Sequence, residues 1–375
     1  MQTGWLQEVV EADGPFASVH LDVTRDQPTS AEELRLRWAA VRQSLLDQGA
    51  PQDVVGVVED VVLSETGLPG EQGRTVIAGP AGVVLDRILP RRPVRDSGSY
   101  GPVPHLMPLV RGLVDAVPYA VVEVDAAGAD VTLVDALGQP VLEREIEGGH
   151  DVLHKFGGGG WSHRRFQMRV EDSWERNAAA VADGLDRVVA QHRPALLLLA
   201  GDPQVRSLVH RHATGRVAEL LTDLESGGRA EGVHEEAFQE AVEGALRRHR
   251  QAAMGELLAR YTEHLGRDDS VAHGLPAVVE ALRAGAVDVL LLADDPSSTE
   301  RLWAGDQPLQ IGRTEQEVAA LGSTSATSDR ADAVLLRALV AQRGDIELVE
   351  GTDVLDGGVG ALLRFDVRPP VPGRS

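Results

Sequence analysis

The residues with the greatest capacity for chemistry lie between Asp151 and Glu171, a window that contains no acidic residue. Lys155, Arg164, Arg165 and Arg169 make it positive. Four of the chain's 13 aromatic residues (Phe156, Trp161, Phe166 and Trp174) fall in or beside it, far more than even spacing gives. At its centre Gly157-Gly158-Gly159-Gly160 precedes Trp161 and Ser162. Successive glycines carry the largest backbone entropy and pack no core, so such a run serves as a loose tip or as backbone that must approach something closely. Ser162 is a suitable N-cap. From there Phe166, Val170, Trp174, Ala178, Val181, Leu185 and Val188 recur at helical spacing, predicting a helix to about His192 with Pro194 as its stop. Arg165, Arg169 and Arg176 share another face of that helix. A glycine loop tipped by an indole and leading into the positive end of an arginine-lined helix suits phosphates and bases together, through backbone N–H groups, guanidinium forks and ring stacking. His154 and His163 bracket the tip and would gain charge below about pH 6.5. A plain surface loop before an amphipathic helix would use the same residue types. The run is not a dinucleotide fingerprint, because it lacks the strand–GxGxxG–helix order, and no Gly-Lys-Ser/Thr follows to make a Walker loop.

The elements that must position this window read as α/β throughout. A chain of 375 residues implies two or three domains. Ala17 to Val23 alternates as a strand, and Leu34, Trp38, Val41 and Leu45 line one face of a helix beginning near Ser30. Val54–Ser64 and Thr75–Asp86 carry short strand-like runs. The Pro/Gly/Ser/Arg-rich stretch from Leu89 to Pro108 has no apolar period and reads as a domain linker. Tyr119–Val124 and Val131–Asp135 form a hairpin signal, and Leu196–Ala200 is a buried-strand run followed by helix to about Leu224. Gly227-Gly228 marks a second candidate boundary. Beyond it come a long helix from Phe238 to about Leu265, a helix over Leu275–Arg283 and a strand over Val287–Ala293. A late helix, Ala331–Arg343, precedes strands at Ile346–Val349 and Val359–Phe365. Gly322–Ser328 reads as an ordinary loop.

The segment His154-Lys-Phe-Gly-Gly-Gly-Gly-Trp-Ser-His-Arg-Arg-Phe-Gln-Met-Arg169 resembles the peptidyl-transferase loop and following helix of the archaeal and eukaryotic class-I release factors, the Pelota-like superfamily. In that family the loop reads Gly-Gly-Gln-Ser before an Arg-Phe step. Gly159-Gly160, Ser162 and Arg165-Phe166 match it. Leu196–Gly201, Leu275–Asp294 and Gly357–Phe365 are similar to three later family motifs in the same order. The resemblance implies three domains: an N-terminal α/β domain (1–114), a ribonuclease-H-like middle domain (115–230) carrying the loop at 157–161, and a C-terminal release-factor-like α/β sandwich (231–375). The family's catalytic glutamine is replaced by Trp161, and no glutamine lies between Gln139 and Gln167. An indole has one donor and no carbonyl, so it cannot orient a hydrolytic water as a carboxamide would. The family's Asn-Ile-Lys-Ser codon-reading run is excluded because Lys155 is the sole lysine, and its companion motif is excluded because there is no cysteine. The pattern resembles the bacterial branch of the family, in particular Balon-type ribosome hibernation factors. It implies a non-enzymatic, tRNA-shaped factor for the ribosomal A site, which can be accompanied by elongation factor Tu. Its rRNA contacts would come from Lys155, Phe156, Gly159, Gly160, Trp161, Ser162, His163, Arg164, Arg165 and Arg169. The middle domain would carry the loop toward the peptidyl-transferase centre, with the first domain near the decoding site and the third on the factor-binding side.

Composition narrows the rivals. A net charge of −22 argues against a general nucleic-acid coat. Absence of cysteine excludes thiol catalysis, disulfides and cysteine-ligated metal. No apolar run reaches the ~20 residues of a membrane helix, and no secretory signal is visible, which together suggest a cytoplasmic monomer without a membrane partner. No cofactor or metal is called for. Two enzyme readings remain. One is a peptidyl-tRNA hydrolase or release-type rescue enzyme using Ser162 or His163 to place water. The other is a metal nuclease built on Asp125, Asp130 and Asp135. His210 and His212, two apart on a helix, do not share a face for zinc, and Glu143, Glu145 and Glu147 receive no role.

Overall fold

A computed structural model describes every residue of the chain except 26, 28, 68–69, 115, 126, 136–138, 148–149, 155–173, 226–234, 352–353 and 368–375. It divides into two compact units, residues 1–114 with 254–375, and residues 115–253.

The first unit opens with α1 (Gln7–Glu11), β1 (Phe16–Asp22), α2 (Ser30–Asp47), α3 (Gln52–Leu63), β2 (Gly73–Gly79), β3 (Gly82–Leu89), β4 (Ser97–Gly101) and α4 (Met107–Leu113). The strands form an antiparallel sheet in the order β3-β2-β1-β4. Ala17, Val19 and Leu21 of β1 bury one face against Leu34, Trp38, Val41 and Leu45 of α2 and the valines of α3. The alternation that suggests an exposed second face is deceptive, because Ser18, His20 and Asp22 are buried as well. Each of them is hydrogen-bonded, as burial requires. The Ser18 hydroxyl accepts from the His105 amide at 3.1 Å, His20 meets Thr75 Oγ1 at 2.9 Å and the His105 carbonyl at 2.8 Å, and Asp22 Oδ1 accepts from the Thr24 amide.

Two expectations are corrected in this region. The strand-like run Val54–Ser64 is helix α3. Its valines suggest a strand by propensity, but Val54, Val55, Val58 and Val62 are buried at helical spacing, and burial overrides propensity. The expected linker 89–108 is folded: Ser97–Ser99 of β4 pair with Ser18–His20 of β1, and Val103 and Leu106 are buried. Small residues are needed there because a Cβ on Gly98 would press on Val41 and Leu45.

The second unit carries β5 (Tyr119–Val124), β6 (Gly128–Val134), β7 (Pro140–Glu147), β8 (His150–His154), α5 (Trp174–His192), β9 (Leu196–Gly201), α6 (Pro203–His212), α7 (Gly215–Leu220), β10 (Leu221–Asp223) and the first part of α8 (Glu235–Arg267). The strand order is β10-β9-β5-β6-β7-β8. β5 to β8 form an antiparallel meander, while β9 returns parallel to β5 and β10 parallel to β9. Antiparallel β7-β6-β5 continued by parallel β9 and β10 across a helix is the ribonuclease-H-like arrangement, with β8 added at the edge. The apolar run Leu196–Ala200 is buried on both faces, as the central position of β9 demands. Leu197 and Leu199 face α5, α6 and α7, whereas Leu196, Leu198 and Ala200 face Phe238, Val242 and Ala245 of α8.

The chain then re-enters the first unit, where Tyr261 of α8 anchors a core with Val289, Leu291 and Leu362. There follow β11 (Val271–His273), α9 (Leu275–Arg283), β12 (Val287–Ala293), β13 (Arg301–Ala304), β14 (Ile311–Gly312), α10 (Glu315–Ala320), β15 (Thr327–Arg330), α11 (Ala331–Ala341), β16 (Asp345–Val349) and β17 (Val359–Leu363). They make a sheet β11-β17-β12-β16 and a smaller sheet β14-β13-β15. The Gly-Gly-Val-Gly motif has a physical basis. Gly357 and Gly358 turn at φ 59° and 76°, and Gly360 lies against the Tyr261 hydroxyl, which bonds His273 Nδ1 at 2.8 Å. The polar stretch 322–328 is fastened by Asp306, whose carboxylate accepts from Ser323, Thr324 and Ser325. The Ser325 hydroxyl foremost, then the other donors, hold that carboxyl well below the usual carboxylate range. Thr327 and Ser328 already belong to β15 rather than to a loop.

Two measurements test this packing. Gly201 ends β9 at φ +120°, where a Cβ would collide with the Val124 carbonyl oxygen. Gly201→Ala is expected to lose about 2–4 kcal/mol, the sum of backbone strain and overpacking, in urea unfolding. A loss under about 1 kcal/mol would contradict the placement. Burial, reinforced by the charges of His105 and Arg111, holds the His20 pKa down to about 4. The folded protein therefore stays neutral at His20 while the unfolded chain takes up a proton. That stability is present above about pH 6.5 and is lost as pH falls toward 4, a difference of about 3 kcal/mol. Between pH 7 and pH 4 the wild type should lose that much more stability than His20→Gln, and parallel pH curves would refute it.

Candidate functional site

All ten predicted contact residues, Lys155, Phe156, Gly159, Gly160, Trp161, Ser162, His163, Arg164, Arg165 and Arg169, lie outside the described residues, as does the expected helix start at Ser162. The structure supplies the two supports between which they run. On one side the chain leaves β8 at His154, paired opposite Glu143 of β7 at the edge of the six-stranded sheet. On the other it enters α5 at Trp174.

The helical support is firmly built. Ala178, Val181, Leu185 and Val188 are buried, as the periodicity predicts, and Trp174 packs partly against the same core. Close approach to the sheet requires Gly184, since a Cβ there would meet the Ile146 side chain of β7. Glu175, in the first turn of α5, takes His212 Nε2 at 2.9 Å and Arg211 at 3.5 Å from the end of α6. An acid in that turn also suits the helix dipole. α6 in turn is capped by Asp202, whose Oδ1 accepts from the amides of Gln204 at 2.7 Å and Val205 at 3.3 Å, with Pro203 at the first helical position. The Arg176 side chain is exposed. Residues 155–173 thus follow an edge strand and precede a helix pinned at its first turn.

The histidines of α6 diverge. His210 Nε2 meets Asp223 Oδ1 at 2.9 Å, whereas His212 turns to Glu175. The carboxylates read as a nuclease cluster do not converge, which corrects that reading. Asp125 Oδ1 accepts from the amides of Ala127 and Gly128 in the β5–β6 turn, and Asp135 Oδ1 accepts from the Gln139 amide in the β6–β7 turn. These turns lie at opposite ends of β6, roughly 20 Å apart for a strand of this length. Asp130 sits within β6, opposite Glu123 and Glu145. Two-metal chemistry needs carboxylates within ~4 Å of both ions, which this spacing excludes. Among the described residues, no helix is long and apolar enough to cross a membrane.

One feature escapes the sequence reading. Arg91, Arg92 and Arg95 follow β3 and line a cavity with His105, Arg111 and Arg330 in the first unit. Its sequence signal is a basic run, Arg-Arg-Pro-Val-Arg, in an acidic chain, hidden by the prolines that make the stretch resemble a linker.

Residues 118–267 match the family model described as bacterial archaeo-eukaryotic release factor family 2. An uncharacterized protein of Mycobacterium tuberculosis is 28% identical over 367 residues, covering 97% of each chain. The Pelota homolog of Pyrococcus abyssi is 26% identical over 223 residues, 58% of this chain and 54% of that one. Among solved structures, a ribosome-bound archaeal Pelota aligns over 97% of this chain and 94% of its own, at 16% identity and a TM-score of 0.39. The family match thus covers the sheet and helices on either side of residues 155–173, and over residues 118–267 the chain is similar to the bacterial, Pelota-like branch of the archaeo-eukaryotic release-factor family.

Proposed function

We propose that this chain is a ribosome-binding A-site factor without peptide-release activity, acting in ribosome hibernation or protection under stress. The observation that carries the reading is Trp161, which stands where the family's catalytic glutamine would be while the flanking Gly159-Gly160 and Ser162 are kept. A loop that retains the glycine approach but has an indole at its tip keeps the means to enter a narrow RNA site and gains a stacking surface. It loses the carboxamide that orients water. Lys155, Arg164, Arg165 and Arg169 would meet phosphates, and Phe156 and Trp161 would stack on bases. The pinned start of α5 supports this role, because a loop delivered to a remote centre needs a fixed base. Elongation factor Tu is the proposed companion on the ribosome.

Ribosomes sedimented from starved and growing cells provide the test. Wild-type protein is expected to cosediment at low salt, more from starved cells. Trp161→Ala/Arg165→Glu should bind roughly 10- to 100-fold more weakly, as loss of stacking and a phosphate contact implies. If wild type never cosediments, with or without elongation factor Tu, the proposal fails. In a parallel assay on programmed ribosomes the protein should release no peptide from peptidyl-tRNA above background. Measurable turnover there would instead establish a release-type enzyme.

A further inference from the structure

A cavity of about 620 Å³ lies within the first unit, walled by the β3–β4 connection, α4, the residues following β12 and the start of α11. Five arginines line it (Arg91, Arg92, Arg95, Arg111 and Arg330) against two aspartates, Asp294 and Asp332. In a chain of net charge −22 this is a local reversal of sign. Both aspartates are already committed. Asp294 takes Arg111 Nε, and Asp332 takes the Arg330 fork at 3.1 and 2.7 Å. These pairs hold two guanidiniums in place, and the five arginines outnumber the two aspartates of the lining. Arg92 is exposed and only 3.8 Å from Glu71, while Arg95 has no hydrogen-bond or ion-pair partner among the described residues. The first turn of α11, an 11-residue helix, also borders the space through Asp332 and Ala333 and adds its positive end.

We infer that this cavity binds a phosphorylated small molecule of nucleotide size. Guanidinium forks match phosphate oxygens in pairs, and several of them around one space suit a group that carries more than one negative charge, as a di- or triphosphate does. The volume falls within the range of small-molecule sites. Leu89, Met107 and Pro108 give an apolar wall against which a flat ring would lie, and Ser97 and Ser99 add hydroxyls. An RNA strand is the less suitable occupant. No Trp, Tyr or Phe lines the cavity to stack successive bases, and the acidic chain around it repels a polyanion that must extend beyond it. The di- or triphosphate would face Arg92 and Arg95, with Arg111 and Arg330 fixed behind them.

The test uses the full chain without ribosomes, so it stands apart from the proposed A-site role. Inorganic pyrophosphate, ADP and GTP are titrated calorimetrically into wild type and into Arg92→Glu/Arg95→Glu. Both side chains are exposed, so the variant's unliganded unfolding midpoint should match wild type and report an intact fold. At least one of the three probes is expected to bind with one-to-one stoichiometry, and the variant should weaken it at least tenfold. Absence of binding at millimolar concentration, or equal binding by the variant, overturns the inference. So does a 5′-phosphorylated RNA oligonucleotide that binds more tightly than every free probe and is lost in the variant, since that would make the arginines an RNA contact.

Discussion

Parallel pairing of β5 with β9, from Tyr119 opposite Leu196 to Val124 opposite Gly201, is the constraint on which the middle of the molecule depends. A parallel neighbour cannot be reached by a tight turn, so the chain must leave the meander at its far edge and cross back over one face. The crossing element is α5, held to the sheet by Ala178, Val181, Leu185 and Val188. Segment 155–173 is therefore the stretch between the last antiparallel strand and the returning helix. Its position follows from topology, and only its content is open to functional choice. The close backbone approach of Gly201 to Val124 then lets Asp202 and Pro203 begin α6 immediately, and α6 returns His212 and Arg211 to the first turn of α5.

A second dependency runs through the first unit. β1 is buried along its whole length, so its polar residues must be satisfied internally. His20 achieves this by bridging Thr75 and the His105 carbonyl, and His105 in turn meets Asp329 at 3.0 Å. Nearby, Arg111 of α4 reaches Asp294. The N-terminal sheet and the β13–β15 region are thereby joined through polar contacts at partly buried positions, where losing one partner leaves the other unsatisfied. Thr3 adds a buried bond to the Gly344 carbonyl at 2.6 Å. Such junctions fix geometry more than they add net stability.

Legibility in the sequence follows how many constraints each segment obeys at once. α2, α9 and β9 are read correctly because apolar pattern, stop signals and burial agree: Leu34, Trp38, Val41 and Leu45 are all buried, and Gly285 follows α9 at φ +69°. α3 fails because valine's strand preference opposes its helical burial. β4 fails because Ser-Gly-Ser-Tyr-Gly carries no apolar pattern at all, its small residues being set by crowding against α2. β13, β14 and β15 are two to four residues long, below the window in which a period can be seen. For the site, the glycine loop stands out by composition, whereas the arginine cavity is assembled from segments nearly 240 residues apart and no linear pattern announces it.

Charge placement connects these features. Outside the 152–170 window the chain carries the whole acidic excess, and the window itself carries the sole lysine. An acidic body weakens every non-specific phosphate contact, because such contacts depend on a broad positive field and fade with salt. Under the proposed function, affinity for RNA would then come from a few shaped contacts: an indole to stack and forks for chosen phosphates. The same logic applies to the cavity, where Asp294 and Asp332 orient two arginines without cancelling the excess. On the two proposals, a chain with 36 basic and 58 acidic residues would concentrate its attraction for phosphate into two small regions. Selectivity would follow from repulsion elsewhere, which penalises any polyanion that fits neither of them.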